Sequence, residues 1–125
     1  PDVQRLSLLE LPIVQQQADY NMQALAIGEQ RIWINQQPRY QLGDTVRITI
    51  GSKDVSITLV QPEKSSIRNI LQGNICKIVK QSDRYDLAVQ VAEQEIWASI
   101  SLWSFDELAL QLGQSVYLQI KSVSI

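Results

Sequence analysis

Leu112-Gly113-Gln114-Ser115-Val116-Tyr117-Leu118-Gln119-Ile120 parallels, position by position, Leu42-Gly43-Asp44-Thr45-Val46-Arg47-Ile48-Thr49-Ile50. In both stretches a Gly turn feeds an alternation of apolar and polar residues. Val46, Ile48 and Ile50 alternate with Arg47 and Thr49, as Val116, Leu118 and Ile120 alternate with Tyr117 and Gln119. This period of two marks a half-buried β-strand. A second pair matches in the same order: Ala24-Leu25-Ala26-Ile27-Gly28-Glu29-Gln30-Arg31-Ile32-Trp33 against Ala88-Val89-Gln90-Val91-Ala92-Glu93-Gln94-Glu95-Ile96-Trp97. Each copy then closes on Val-Ser-Ile, at residues 55–57 and 123–125. Ordered matches of this kind indicate an internal repeat.

Working outward, apolar segments at 6–14, 22–27, 31–35, 45–50 and 55–60 form one set of expected strands, and those at 70–79, 85–91, 95–100 and 115–121 a second. The fold class is all-β: two tandem OB-like small barrels or β-sandwich units, residues 1–61 and 62–125, joined around Gln61-Pro62-Glu63-Lys64-Ser65. Neither unit is large enough to be comfortable alone, so mutual packing or dimerisation is expected. One short helix is expected. Ser104-Phe105-Asp106-Glu107 reads as a capping box, and Gly113 as a stop signal beyond Leu108 and Leu110. The first copy has Gln36-Gln37-Pro38-Arg39-Tyr40 instead, and Pro38 discourages a helix interior.

Composition narrows the chemistry. The 125 residues carry a formal charge of −2, with no His and one Cys. That removes serine–histidine and cysteine–histidine nucleophiles and every histidine- or multi-cysteine-ligated metal site, so no catalytic residues and no metal cation are expected. A lone Cys76 cannot form an internal disulfide, which suits a reducing compartment; in its apolar segment it reads as a small buried hydrophobe. No apolar run reaches the ~18 residues of a spanning helix. The net acidity argues against a general nucleic-acid binder. Pro1-Asp2-Val3-Gln4 has no initiator Met and no signal-peptide pattern, so a piece of a longer protein is expected. There is no G-x-x-x-x-G-K-[ST] loop; Ile50-Gly51-Ser52-Lys53 lacks its first Gly. Asp83 with Asp86 reads as a solvated turn. Trp33 and Trp97, at equivalent repeat positions, read as core or interface packing, whereas Trp103 suits walling off a ligand or filling a dimer contact.

Polar groups gather in the second copy. Ser65-Ser66-Ile67-Arg68-Asn69 enters an apolar segment, Ser99-Ile100-Ser101-Leu102-Trp103-Ser104 runs into the helix, and Lys121-Ser122 follows the last strand. Taken singly, Ser104 is an N-cap, Ser66 a turn residue, and Arg68 and Lys121 solvated charges. Together they offer hydroxyls, two cations and unpaired helix amides, a combination suited to an oxyanion. Charge-assisted hydrogen bonds of this type contribute roughly 1.5–3 kcal/mol each.

The same segments resemble a known family. Ser65-Ser66-Ile67-Arg68-Asn69 resembles the Thr-Ser-Ala-Arg-Asn opening of the molybdate-binding Mop/TOBE (molbindin) domain. Ser101-Leu102-Trp103-Ser104 is similar to its Thr-x-x-Ser before the helix, and Leu108-x-Leu110-x-Leu112-Gly113 and Ile120-Lys121-Ser122-x-x-Ile125 to its closing pattern. The whole chain is similar to the C-terminal domain of the ATP-hydrolysing subunit of bacterial molybdate importers. That resemblance implies molybdate or tungstate as ligand, with no cofactor, held between domains. Ser66 and Arg68 would come from one partner, and Ser101, Ser104, Lys121 and Ser122 from the other. It also implies a homodimer, a parent whose ATPase domain precedes Pro1, a membrane permease as the parent's partner, and a cytoplasmic location peripheral to the inner membrane. Ile67 stands where the family has a small Ala, and Ser101 where it has Thr; the first copy has no Ser-x-Arg-Asn motif. The alternatives are a ligand-free dimerisation module and an OB-type binder of single-stranded nucleic acid.

Overall fold

The computed structural model describes residues 3–125. In chain order the strands are β1 (Leu6–Gln17), β2 (Met22–Ile27), β3 (Gln30–Asn35), β4 (Thr45–Gly51), β5 (Val55–Thr58), β6 (Asn69–Lys80), β7 (Arg84–Val91), β8 (Gln94–Ser101) and β9 (Ser115–Ile120), with helix α1 (Leu102–Glu107) between β8 and β9. They form two antiparallel sheets, ordered β3-β2-β1-β4 and β5-β9-β6-β7-β8. The chain is therefore mostly strand with one short helix, as its two-period patterning requires.

The repeat extends to the irregularities. The long first strand of each copy carries a bulge, where the register shifts between Ile13 and Gln15 in β1 and between Ile75 and Lys77 in β6. Just before each bulge, the Ile takes the same pair of backbone bonds from the turn that leads into its copy's last strand. Gly43 N–H donates to Ile13 O at 2.9 Å and Ile13 N–H to Asp44 O at 2.8 Å; Gly113 and Gln114 serve Ile75 likewise, at 2.7 and 3.0 Å. Cys76 sits at the second bulge, half-buried rather than enclosed, with its thiol 3.4 Å from Ala88 O. Burial, and then the Glu95 carboxylate, push that thiol above its usual pKa, so it stays protonated at neutral pH.

The sheets do not divide where the sequence repeats do. β5 closes the first copy, yet it pairs with β9, Val55 opposite Ile120 and Ile57 opposite Leu118. In return, the second copy's closing residues reach β4, where Thr49 and Ser124 exchange backbone bonds of 2.8 and 2.9 Å. Each Val-Ser-Ile segment thus completes the other copy, which leaves sheets of four and five strands that do not each belong to one copy.

One core results. Leu9, Leu11, Ile13, Leu25, Ile32 and Ile48 from the first copy are continuous with Leu71, Ile75, Leu87, Val89, Ile96 and Leu118 from the second. Burying each such side chain contributes about 1.5–3 kcal/mol. Side-chain amides and hydroxyls stitch the halves at the margin of this core. Asn69 accepts from Trp33 N–H at 2.8 Å and donates to Trp33 O at 2.9 Å. Gln30 clamps the backbone of Gln72 in the same two-pronged way, both bonds at 2.8 Å. Ser7, which precedes Ile13 as Asn69 precedes Ile75, accepts from Trp97 N–H at 2.9 Å. Both tryptophans are half-buried at the join between copies.

Asp86 is a correction to the sequence reading: its side chain is 1 % exposed, not solvated. It accepts from Arg84 Nε at 2.9 Å, Arg5 Nε at 3.1 Å, Gln81 Nε2 at 3.3 Å and Ser99 Oγ at 2.7 Å. Ser99 in turn shares a 2.7 Å bond with the buried Ser52. Burial opposes the charge on Asp86, but the bonds from Ser99, Arg84, Arg5 and Gln81 outweigh it and hold the carboxyl below its usual pKa. Arg5 also lies over the Trp97 ring, 4.3 Å from its centroid.

Candidate functional site

β8 runs without a break into α1, and the junction differs from the expected one. Ser101, not Ser104, is the N-cap: its Oγ accepts from Ser104 N–H at 3.0 Å. Its extended backbone (φ −68°, ψ 157°) continues β8 while its side chain turns back over the first helical turn. The helix ends before Gly113 as well. Ala109 takes the left-handed conformation (φ +49°), and Ala109 N–H and Leu110 N–H bond Asp106 O and Phe105 O, a Schellman motif. Ser104 N–H is therefore already satisfied and is not a free helix amide. The two hydroxyls touch each other, Ser101 Oγ to Ser104 Oγ at 3.0 Å, and both side chains are exposed.

These serines line a cleft of about 330 Å³ together with Lys121, Gln119 and Ile67. The exchanged segment forms part of its wall, contributing Lys53, Asp54 and Ser56. Lys121 N–H donates to Asp54 O at 2.8 Å, which fixes the end of β9 against that wall. The cleft thus joins exposed hydroxyls and two lysines, donors suited to an oxyanion, with one carboxylate, Asp54, that opposes it. Lys53 was missed by motif reading. The signal was present, since Lys53-Asp54-Val55-Ser56-Ile57 stands to the first copy as Lys121-Ser122-Val123-Ser124-Ile125 does to the second.

The remaining expected residues lie elsewhere. Ser66 and Ser122 are exposed, and neither is among the residues lining this cleft. Arg68 is exposed and lines a different cleft of about 570 Å³, with Gln17, Tyr20, Met22 and Trp33. Ile67 and Arg68, adjacent in the chain, line different clefts, and one copy does not bring Arg68 together with Ser101, Ser104 and Lys121. Among the described residues no group of three His, Cys, Asp or Glu side chains is placed to hold a metal ion.

With this geometry in view, residues 65–125 match the model of the TOBE domain. This chain carries a TOBE domain. It is 59 % identical over 124 residues to the molybdenum import ATP-binding protein ModC of Haemophilus ducreyi, covering 99 % of the chain and 35 % of that relative. It is 52 % identical over 119 residues to the ModC of Haemophilus influenzae, covering 95 % of the chain and 34 % of that relative. The chain thus spans about a third of the length of the curated relatives it matches, and the matched family is the TOBE domain rather than a nucleotide-binding one. In fold it resembles a crystal structure of the cytoplasmic molybdate-binding protein ModG with molybdate bound, at a TM-score of 0.73 and 16 % identity over 97 % of this chain and 95 % of that one. No helix among the described residues is long and apolar enough to cross a membrane.

Proposed function

We propose that this TOBE chain binds molybdate or tungstate between two copies of itself, as the regulatory and dimerising part of a molybdate importer's ATP-binding subunit. The observation that carries this reading is the cleft in which Ser101, Ser104 and Lys121 converge with Lys53. A tetrahedral dianion presents four oxygens to rotatable hydroxyls and ammonium groups, and needs neither His nor Cys nor a metal. Ser122, next to Lys121, adds a hydroxyl from the same copy. Ser66 and Arg68 come from the second copy, because Arg68 belongs to a separate cleft in its own. Occupancy then favours the paired arrangement by as much as the oxyanion's affinity differs between paired and unpaired states. In the parent this pairing bears on ATP hydrolysis at the cytoplasmic face of the inner membrane, beside the permease.

The test is calorimetric titration of the 125-residue chain with molybdate, tungstate and sulfate. Molybdate and tungstate should release heat, and Arg68→Ala and Lys121→Ala should each weaken binding about tenfold or more. No heat with any oxyanion at millimolar concentration would abandon the reading.

A further inference from the structure

Two features of the surface have no partner among the described residues of one copy. Trp103, the second residue of α1, is 76 % exposed although it sits between the cleft serines Ser101 and Ser104. An indole left in water at such a place is a large unburied apolar area, of the kind that marks interaction sites. The other feature is the Arg68 cleft, whose walls are the ring of Trp33, the side chain of Met22 and Tyr20, itself 75 % exposed. At about 570 Å³ it has room for an indole, and Arg68 at its rim offers a guanidinium to an aromatic face.

We infer that Trp103 of one copy seats in the Arg68 cleft of a second copy, between Tyr20, Met22 and Trp33. The inference rests on the two-copy oxyanion site proposed above. Trp103 lies outside the cleft of Ser101 and Ser104 but on the same first turn of α1, so bringing Arg68 of one copy to those serines of another brings the cleft that Arg68 lines up to the turn that presents Trp103. The chemistry of the two surfaces agrees: an exposed aromatic meets an apolar cavity with one cation at its edge. Arg68 then has two neighbours, the indole face on one side and the oxyanion on the other. The seat couples ligand binding to association, since one helix turn carries both the hydroxyls and the anchor.

The experiment combines sedimentation velocity with ¹⁹F NMR of the chain labelled with 5-fluorotryptophan, over a range of protein concentrations with and without molybdate. The three tryptophan resonances are assigned by single Trp→Phe variants. As the copies associate, the Trp103 and Trp33 resonances should shift together, while Trp97, covered by Arg5, should stay. Trp103→Ala and Tyr20→Ala, both at exposed side chains, should each raise the dissociation constant of association about tenfold or more. The seat is overturned if the chain stays monomeric under all conditions, if Trp103 shifts without Trp33, or if both alanine variants associate like the parent chain. Release of heat with molybdate alongside full association of Trp103→Ala would discard the seat and keep the oxyanion reading. Association through Trp103 and Tyr20 with no heat from molybdate would do the reverse.

Discussion

A β-carbon built on Gly28 stands 2.7 Å from the β-carbon of Ala92. These residues occupy the same place in the two copies, the first of the two residues linking β2 to β3 and β7 to β8. Both have positive φ, +59° and +52°. The two hairpin tips therefore meet across the internal repeat, and only one of them has room for a side chain. Gly28→Ala should destabilise the chain by about 2 kcal/mol, from the backbone conformation and the overlap together. Ala92→Gly removes the overlap and relaxes its own turn, so in that background Gly28→Ala should cost about 1 kcal/mol less. Urea unfolding of the four members of this cycle measures the coupling; strict additivity would mean the tips do not touch.

Asp86 predicts a pH dependence. Its carboxyl is held below the ordinary value of 3.8, so the folded chain binds the proton less readily than the unfolded one. Its contribution to stability is present in full above that ordinary value and is lost as pH falls through the lower folded value. Asp86→Asn should cost about 3 kcal/mol or more at neutral pH, since Arg5 and Arg84 lose the buried carboxylate between them. It should also flatten the acid limb of stability against pH, measured by thermal unfolding from pH 6 down to about pH 2.

The Asn69 clamp predicts a graded loss. Asn69→Ala removes both bonds to the Trp33 backbone and should destabilise by about 1–3 kcal/mol. Asn69→Ser should recover part of this, because Ser7 at the counterpart position already serves Trp97 N–H with a hydroxyl alone. Equal losses for the two variants, by denaturant unfolding, would refute the equivalence of the two contacts.

How much of this was legible in the sequence depends on whether the deciding contacts are local. Alternation in residues 46–50 and 116–120 is a property of each segment, and so are the turns at Gly43 and Gly113, so the strands could be read directly. The exchange of β5 could not. Val55-Ser56-Ile57 and Val123-Ser124-Ile125 are alike, and nothing in either states which copy's last strand it joins. Asp86 looked solvated because its partner Arg5 lies 81 residues away. The helix start was ambiguous because Ser101 and Ser104 are both capping residues, and the direct run of β8 into α1 decides for Ser101. The cleft residues Ser101, Ser104 and Lys121 were legible as a motif. Lys53 was legible only as the repeat counterpart of Lys121; that it joins the same cleft follows from the exchange.

That exchange makes the last prediction. Asp54 brings a carboxylate into the cleft proposed to hold the oxyanion; in the repeat it corresponds to Ser122, and beside it Lys53 corresponds to Lys121. The backbone bond from Lys121 N–H goes to Asp54 O and does not depend on the Asp54 side chain. Asp54→Ser should therefore preserve the cleft, remove a like charge and tighten molybdate binding by roughly three- to tenfold at low salt. Lys53→Ala should loosen it by a similar factor, and both effects should shrink as ionic strength rises, because the groups stand at a solvent-open cleft. Calorimetric titration of both variants at two salt concentrations measures this. Opposite signs for the two substitutions would place the first copy's remnant in the second copy's site, and unchanged affinity in both would remove the exchanged segment from it.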